Sequence, residues 1–117
     1  METDIVKLQL KDGEVLIRLR RDLAPNHCQL FLALVEGGFY NTLKWHRVID
    51  KFMAQTGCPF GNGVGGCGFN IPAEFTDTPF VRGTVGMARV QDPNSASSQF
   101  FICLDDAPFL NGQYTVF

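Results

Sequence analysis

The feature that most constrains the fold is a succession of short apolar segments, each bounded by turn-forming residues. The first two, residues 5–10 and 15–20, flank Asp12-Gly13, a dipeptide that favours a tight β-hairpin turn. Residues 42–55 predict two short strands broken near Asp50-Lys51, and residues 83–89, 99–103 and 114–117 predict one strand each. Many short strands with a single helix predict a mainly β domain, either an antiparallel barrel or a sandwich.

One segment has the spacing of an α-helix rather than of a strand. Its apolar residues recur at intervals of three and four, at Cys28, Phe31, Leu34 and Val35. Pro25 suits the first helical position, where its missing N–H costs nothing, and Gly37-Gly38 is a typical helix end. Asp22 is expected to place negative charge near the positive end of the helix dipole.

The composition bounds the class of protein. With 117 residues, of which 45% are hydrophobic and 19% charged, the chain fits one globular domain. A net charge of −2 and the absence of a basic cluster argue against nucleic acid or an anionic membrane as a partner. Residues 1–4 are polar and acidic, and no apolar run approaches the roughly 20 residues of a membrane span. These observations predict a cytoplasmic protein without a secretory signal.

The cysteines and glycines give no sign of a metal or phosphate site. The four cysteines, Cys28, Cys58, Cys67 and Cys103, form no Cys-x-x-Cys pair, so free thiols are expected and a thiol or metal protein is the weaker alternative. The glycine-rich stretch at residues 57–68 lacks Gly-Lys-Ser/Thr, which favours a surface loop over a phosphate cradle. We expect neither a metal nor a cofactor.

Six segments together resemble the cyclophilin family in order and spacing. They are Trp45-His46-Arg47-Val48-Ile49, Phe52-Met53-Ala54-Gln55-Thr56-Gly57, Gly63-Val64-Gly65-Gly66, Gly86-Met87-Ala88, Ser98-Gln99-Phe100-Phe101-Ile102 and Phe109-Leu110-Asn111-Gly112-Gln113-Tyr114-Thr115-Val116-Phe117. The resemblance covers Ile5 to Phe117 and implies an eight-stranded antiparallel β-barrel with capping helices, as one domain spanning residues 1–117. Because family members continue past the position of Phe117, the final helix and strands are expected to be missing.

The resemblance also implies an activity, the cis/trans isomerisation of peptide bonds that precede proline. Arg47 is implied as the cationic donor to the prolyl nitrogen, and Gln55 as the residue that helps to hold Arg47 and contacts the substrate backbone. The remaining implied residues bind substrate: Phe52, Met53, Phe101 and Leu110 as pocket walls, Ala88 and Arg89 through their backbone, and Gln99, Phe109 and Tyr114 beside them. His46 is expected to be structural, since this reaction needs no base.

Three residues depart from the familiar family pattern, and alternatives stay open. Phe109 replaces tryptophan, which is expected to weaken binding of cyclosporin-like ligands; Tyr114 replaces histidine and Arg89 replaces asparagine. Taken alone, Arg47 could be an ordinary surface arginine and the apolar residues ordinary core. An isomerase acting as a monomer on proline-containing, flexible chains is the main hypothesis. A module that binds proline-containing peptides with little or no turnover is the alternative.

Overall fold

The computed structural model describes residues 5–117. The predictions about residues 1–4 concern a segment outside this range. The strands are β1 (Ile5–Leu10), β2 (Gly13–Arg18), β3 (Arg47–Ile49), β4 (Met53–Thr56), β5 (Val85–Met87) and β6 (Phe100–Cys103). The α-helix α1 covers Pro25–Glu36, and a short 3-10 helix covers Pro108–Leu110. The prediction of a mainly β domain with one helix from this sequence is therefore confirmed.

Strands β1 and β2 form the hairpin predicted from Asp12-Gly13. The two strands pair antiparallel, with Ile5 opposite Arg18 and Leu10 opposite Gly13. Strand β2 starts two residues earlier than the predicted 15–20 because Gly13 itself pairs with Leu10, which leaves only residues 11 and 12 in the turn. After β2 the chain leaves the ladder, and the Arg20 N–H donates to the carbonyl of Phe117 at 2.6 Å.

The other four strands form one antiparallel sheet in the order β3-β4-β6-β5. Its register aligns Arg47 with Gln55, Gln55 with Phe101, and Phe101 with Gly86. Residues directly opposite one another in a sheet project from the same face. The register therefore places the guanidinium, the amide and the aromatic ring side by side, and Gly86 ends the row without a side chain.

The last residues complete this sheet only in part. Instead of the predicted strand at residues 114–117, one isolated bridge joins Val116 to Gly86. Two further hydrogen bonds support it, from the Met87 N–H to the carbonyl of Thr115 and from the Phe117 N–H to the carbonyl of Val85. Within residues 5–117 the six strands lie in two sheets and do not close into the eight-stranded barrel.

Helix α1 packs its apolar face on the larger core. Pro25 occupies the start and Gly37 caps the end, as predicted. Cys28 and Phe31 are fully buried, whereas Leu34 is only half-buried. The Phe31 ring lies 5.2 Å from Tyr40, 5.2 Å from Phe100 and 5.0 Å from Phe117, measured between centroids. These rings join the helix to strand β6 and to the end of the chain.

The start of α1 differs from the expectation about Asp22. The Asp22 carboxylate binds the Arg20 guanidinium at 2.8 Å, outside the first turn. The carboxylate at the helix start belongs to Glu74, which accepts the N–H groups of Asn26 and His27 at 3.2 and 2.7 Å. The first-turn N–H groups have no partner within the helix, so a carboxylate there satisfies them and favours the dipole.

Candidate functional site

Two adjoining cavities lie along the row of residues that the sheet register creates. They share Arg47, Gln55, Ala88 and Arg89. The apolar cavity, of about 500 Å³, contains every predicted site residue except Gln99: Arg47, Phe52, Met53, Gln55, Ala88, Arg89, Phe101, Phe109, Leu110 and Tyr114. The polar cavity, of about 560 Å³, is lined by Gln99 and by the glycine-rich loop. The predicted residues therefore come together in one continuous groove.

The floor of the apolar cavity is fixed by aromatic packing. Phe101, Met53 and Leu110 are at most 9% exposed. The Phe101 ring stacks on Phe80 with centroids 5.8 Å apart and meets the Tyr114 ring edge-on at 5.7 Å. A concave apolar surface of buried side chains is suited to a small apolar ring.

The rim of the apolar cavity is more open than its floor. Phe109 is 68% exposed and lies 5.5 Å from the half-buried Phe52, measured between ring centroids. Phe109 follows Pro108 in the short 3-10 helix, which turns its ring outward while Leu110 points into the core. The rim is therefore a phenyl surface without a hydrogen-bond donor at this position.

Arg47 places a positive charge at this groove, in addition to that of Arg89. It lies on the edge strand β3, is exposed, and lines both cavities. No hydrogen bond or ion pair joins its side chain to another residue in the range 5–117. A guanidinium keeps its charge at any working pH and carries five donors, so these donors are available to a ligand in the groove.

The Gln99 amide fixes the orientation of the Gln55 amide. Gln99 Nε2 donates to the carbonyls of Gly63 and Gly65 at 2.9 and 2.7 Å, which uses both of its hydrogens. Gln99 Oε1 must then accept, and it does so from Gln55 Nε2 at 2.8 Å. Gln55 thus turns its own Oε1 away from Gln99. Gln55 is expected to help hold Arg47; among the described residues the two are opposite each other in the strand pairing, and no hydrogen bond joins their side chains.

The glycine-rich loop forms one wall of the polar cavity and is held by side chains around it. Gly57 has φ of +100°, and a Cβ there would lie 2.3 Å from the Ser98 carbonyl, so only glycine fits. The Gly65 N–H donates to Cys58 Sγ at 3.2 Å, and the Cys67 N–H donates to Ser97 Oγ at 2.9 Å. Sequence alone predicted the loop but not these contacts.

The Cys58 thiol lies within the same loop. Burial raises its pKa, but surrounding backbone N–H groups outweigh burial and bring the pKa down to about 7. None of the four cysteines forms a disulfide within residues 5–117. The thiols of Cys28, Cys58 and Cys67 donate to the oxygens of Phe117, Asn62 and Phe69. Within residues 5–117 no three His, Cys, Asp or Glu side chains are grouped to hold a metal ion.

The Arg89 side chain links two chain segments that line the cavities, a role that the sequence did not predict. Its Nε and Nη2 donate to the Gln113 carbonyl at 3.0 and 2.7 Å. Its Nη1 donates to the carbonyls of Val90 and Gln91 at 2.9 and 3.1 Å. The sequence predicted a role for the Arg89 backbone but none for its side chain. Gln113, which also lines the apolar cavity, was not predicted as a site residue.

Known proteins resemble this chain in sequence. Residues 5–117 match the family model described as cyclophilin type peptidyl-prolyl cis-trans isomerase/CLD. A probable peptidyl-prolyl cis-trans isomerase of Brucella suis is 58% identical over 123 residues, which covers 95% of this chain and 63% of the relative. A peptidyl-prolyl cis-trans isomerase of Synechococcus elongatus is 43% identical over 110 residues, which covers 94% of this chain and 75% of the relative.

The fold agrees with solved structures as well. A cyclophilin type peptidyl-prolyl cis-trans isomerase of Cryptosporidium parvum superposes with a TM-score of 0.93 at 32% identity, covering 99% of this chain and 76% of that chain. Its structure in the presence of the dipeptide Ala-Pro gives a TM-score of 0.92 at 33% identity, covering 97% of this chain and 76% of that chain. The chain belongs to the cyclophilin family, and it spans 63% of the length of its Brucella relative. The resemblance found in the six sequence segments is confirmed.

Proposed function

We propose that this chain is a peptidyl-prolyl cis-trans isomerase. The observation that carries the proposal is the cross-strand row in which an unpaired guanidinium, a fixed amide and a buried aromatic ring share one sheet face. Family membership supports the same activity. Proline-containing peptides and flexible protein segments are the proposed substrates.

The chemistry follows from the electronic structure of the peptide bond. Rotation about it costs roughly 18–20 kcal/mol because the nitrogen lone pair is delocalised into the carbonyl. As the bond twists, the lone pair localises on the prolyl nitrogen, which becomes a better hydrogen-bond acceptor. A donor that reaches this nitrogen only in the twisted state stabilises the transition state more than the substrate.

The groove offers the two parts that this reaction needs. The proline ring would rest on Phe101, Met53 and Leu110, which grip it while the preceding carbonyl turns. Arg47 stands at the edge of that floor with its donors unoccupied by residues 5–117, and it would supply the hydrogen bond to the prolyl nitrogen. No cofactor enters this mechanism, because no bond is made or broken.

The backbone beside the groove supports an extended peptide. The Ala88 N–H donates to the Gln99 carbonyl at 2.9 Å, while the Ala88 carbonyl receives no hydrogen bond from residues 5–117. It is therefore free to accept an N–H from a bound chain. The related protein from Cryptosporidium parvum was solved in the presence of Ala-Pro, which supports Xaa-Pro peptides as ligands here.

One observation favours the alternative of a binding module with little turnover. Arg47 is exposed on a three-residue edge strand, and no hydrogen bond from residues 5–117 fixes its guanidinium. A catalytic donor loses much of its effect when its position is not maintained. The apolar floor, by contrast, is buried and rigidly packed, so ligand binding depends less on this edge.

An NMR experiment on a short Ala-Pro-containing peptide separates the two functions. Exchange between the cis and trans signals measures turnover, and the peptide-induced shifts of the protein measure binding in the same sample. The proposal predicts binding with faster exchange than in the peptide alone. Binding without acceleration would overturn the isomerase and leave the binding module.

Secondary proposals concern the setting of the protein. Four cysteines that form no disulfide within residues 5–117 suit a reducing compartment, which supports a cytoplasmic location. We propose a monomer that does not bind nucleic acid, in keeping with the net charge of −2.

Phe109 lacks the N–H of an indole, which supports weak affinity for cyclosporin-like ligands. No helix in the range 5–117 is long and apolar enough to cross a membrane. Cell fractionation, sedimentation and a cyclosporin titration test these points.

A further inference from the structure

Arg89 stands between the two cavities, and its guanidinium is engaged almost completely within the protein. Four hydrogen bonds lead from Nε, Nη1 and Nη2 to the carbonyls of Gln113, Val90 and Gln91. These carbonyls come from two chain segments, one directly after Arg89 and the other 24 residues further along the chain. Four of the five guanidinium N–H groups are thereby used, so the side chain has little left to offer a ligand.

The same guanidinium also lies over the ring of Tyr114. Its central carbon is 4.8 Å from the Tyr114 centroid and 5.9 Å from that of Phe75. Tyr114 in turn meets the edge of Phe101, the floor of the apolar cavity, at 5.7 Å. A contact chain therefore runs from Arg89 through Tyr114 to the ring on which proline would rest.

We propose that Arg89 is a positioning residue: its guanidinium ties residues 89–91 to residues 113–114 and so holds Tyr114 as a wall of the apolar cavity. The proposal rests on the proposed function, since it deepens the account of how the same groove grips its peptide. It assigns the side chain of Arg89 a role beyond the backbone contacts expected from the sequence.

The shape of the guanidinium is essential to this role. A planar fork can reach carbonyls on two sides while its flat face covers an aromatic ring. An ammonium at the end of a lysine chain keeps the charge but has a single donor atom, so it cannot span both segments. Lysine at position 89 is therefore expected to behave like an uncharged residue rather than like arginine.

The test compares Arg89→Met, Arg89→Lys and the matched control Arg82→Met, in which an exposed arginine outside both cavities is replaced. For each chain, NMR gives the dissociation constant of an Ala-Pro-containing peptide, kcat and KM for its isomerisation, and the ring signals of Tyr114. Both Arg89 variants should raise KM and the dissociation constant about fivefold, the scale of one cation–π contact. Their kcat should change less than about twofold, because a cavity wall binds substrate and transition state alike.

The ring signals of Tyr114 test the positioning without any ligand. They should shift in both Arg89 variants and stay unchanged in Arg82→Met. Full recovery of affinity in Arg89→Lys would overturn the proposal in favour of a simple charge effect. A loss in kcat with KM unchanged would overturn it in favour of direct action on the reacting bond.

These measurements test the role of Arg89 separately from the isomerase activity. If the native chain binds peptide without accelerating exchange, the isomerase proposal fails, and the dissociation constants of the Arg89 variants still decide the role of Arg89. If the native chain binds no peptide, the Tyr114 signals decide it: shifts confined to the Arg89 variants support the positioning role, and unchanged signals refute it.

Discussion

Replacing Gly86 by alanine tests whether strand β5 fixes the aromatic floor of the groove. A Cβ at Gly86 would lie 2.6 Å from Cζ of Phe101 and 2.7 Å from Cε2 of Phe80. Since unstrained carbon contacts are about 3.5–4.0 Å long, the rings would have to move by about 1 Å. Phe101 and Phe80 are 4% and 1% exposed and stack on each other, so no empty space receives them.

Overpacking of this kind costs about 1–3 kcal/mol, which corresponds to a melting temperature about 4–12 °C lower in a domain of this size. Thermal unfolding measures the loss, and an NMR titration with an Ala-Pro-containing peptide measures the accompanying loss of affinity. Gly37→Ala is the control, because its φ is −79° and its Cβ would meet only the carbonyls of Ala33 and Leu34, at 3.4 and 3.8 Å. If Gly86→Ala melts like the native chain and binds peptide equally well, strand β5 does not fix the aromatic floor.

Three further predictions concern contacts that span the fold. Gln99→Leu should lower kcat/KM about tenfold, the scale of one lost hydrogen bond, because the Gln55 amide loses its fixed orientation; an unchanged rate in NMR exchange would contradict this. Glu74→Ala should lower the free energy of unfolding in urea by about 2 kcal/mol, since two N–H groups of α1 and the His27 ring lose their acceptor, and unchanged stability would refute that role. Burial lowers the pKa of His27 from its ordinary 6.5. On acidification the unfolded chain therefore binds a proton at this residue before the folded chain does. The contribution of neutral His27 to the free energy of unfolding should be complete above pH 6.5 and should decrease as the pH falls below 6.5. His27→Gln should lose this part of the pH dependence, and identical pH profiles for the two chains would exclude His27 as its source.

The elements that depend on local sequence were predicted well. Asp12-Gly13 predicts the first hairpin because the turn geometry needs only neighbouring residues. Pro25 and the glycine pair at residues 37 and 38 predict the bounds of α1 for the same reason. The positions of Arg47 and Phe101 followed from motif resemblance, and the sheet register then placed both on one face.

The contacts between distant segments could not be predicted. Glu74 reaches the start of α1 across 48 residues, Gln99 reaches Gly65 across 34, and Arg89 reaches Gln113 across 24. Rules on turns, caps and periodicity consider only residues a few positions apart. They therefore predicted that Asp22, rather than the distant Glu74, provides the negative charge at the start of α1. A strand was predicted at residues 114–117, but the structure has only one isolated bridge there. The apolar pattern indicates that these residues are buried, and buried residues need not form a continuous series of strand hydrogen bonds.

In the proposed mechanism Arg47 stabilises the twisted peptide bond. The most direct test is to measure kcat and the peptide dissociation constant of the native chain, Arg47→Ala and the control Arg82→Ala by NMR exchange and titration. Loss of the donor that stabilises the transition state predicts a kcat about 10²–10³ lower in Arg47→Ala, while the dissociation constant changes little. The control should match the native chain in both. An Arg47→Ala chain that binds peptide and still isomerises it at the native rate would show that Arg47 does not stabilise the twisted bond.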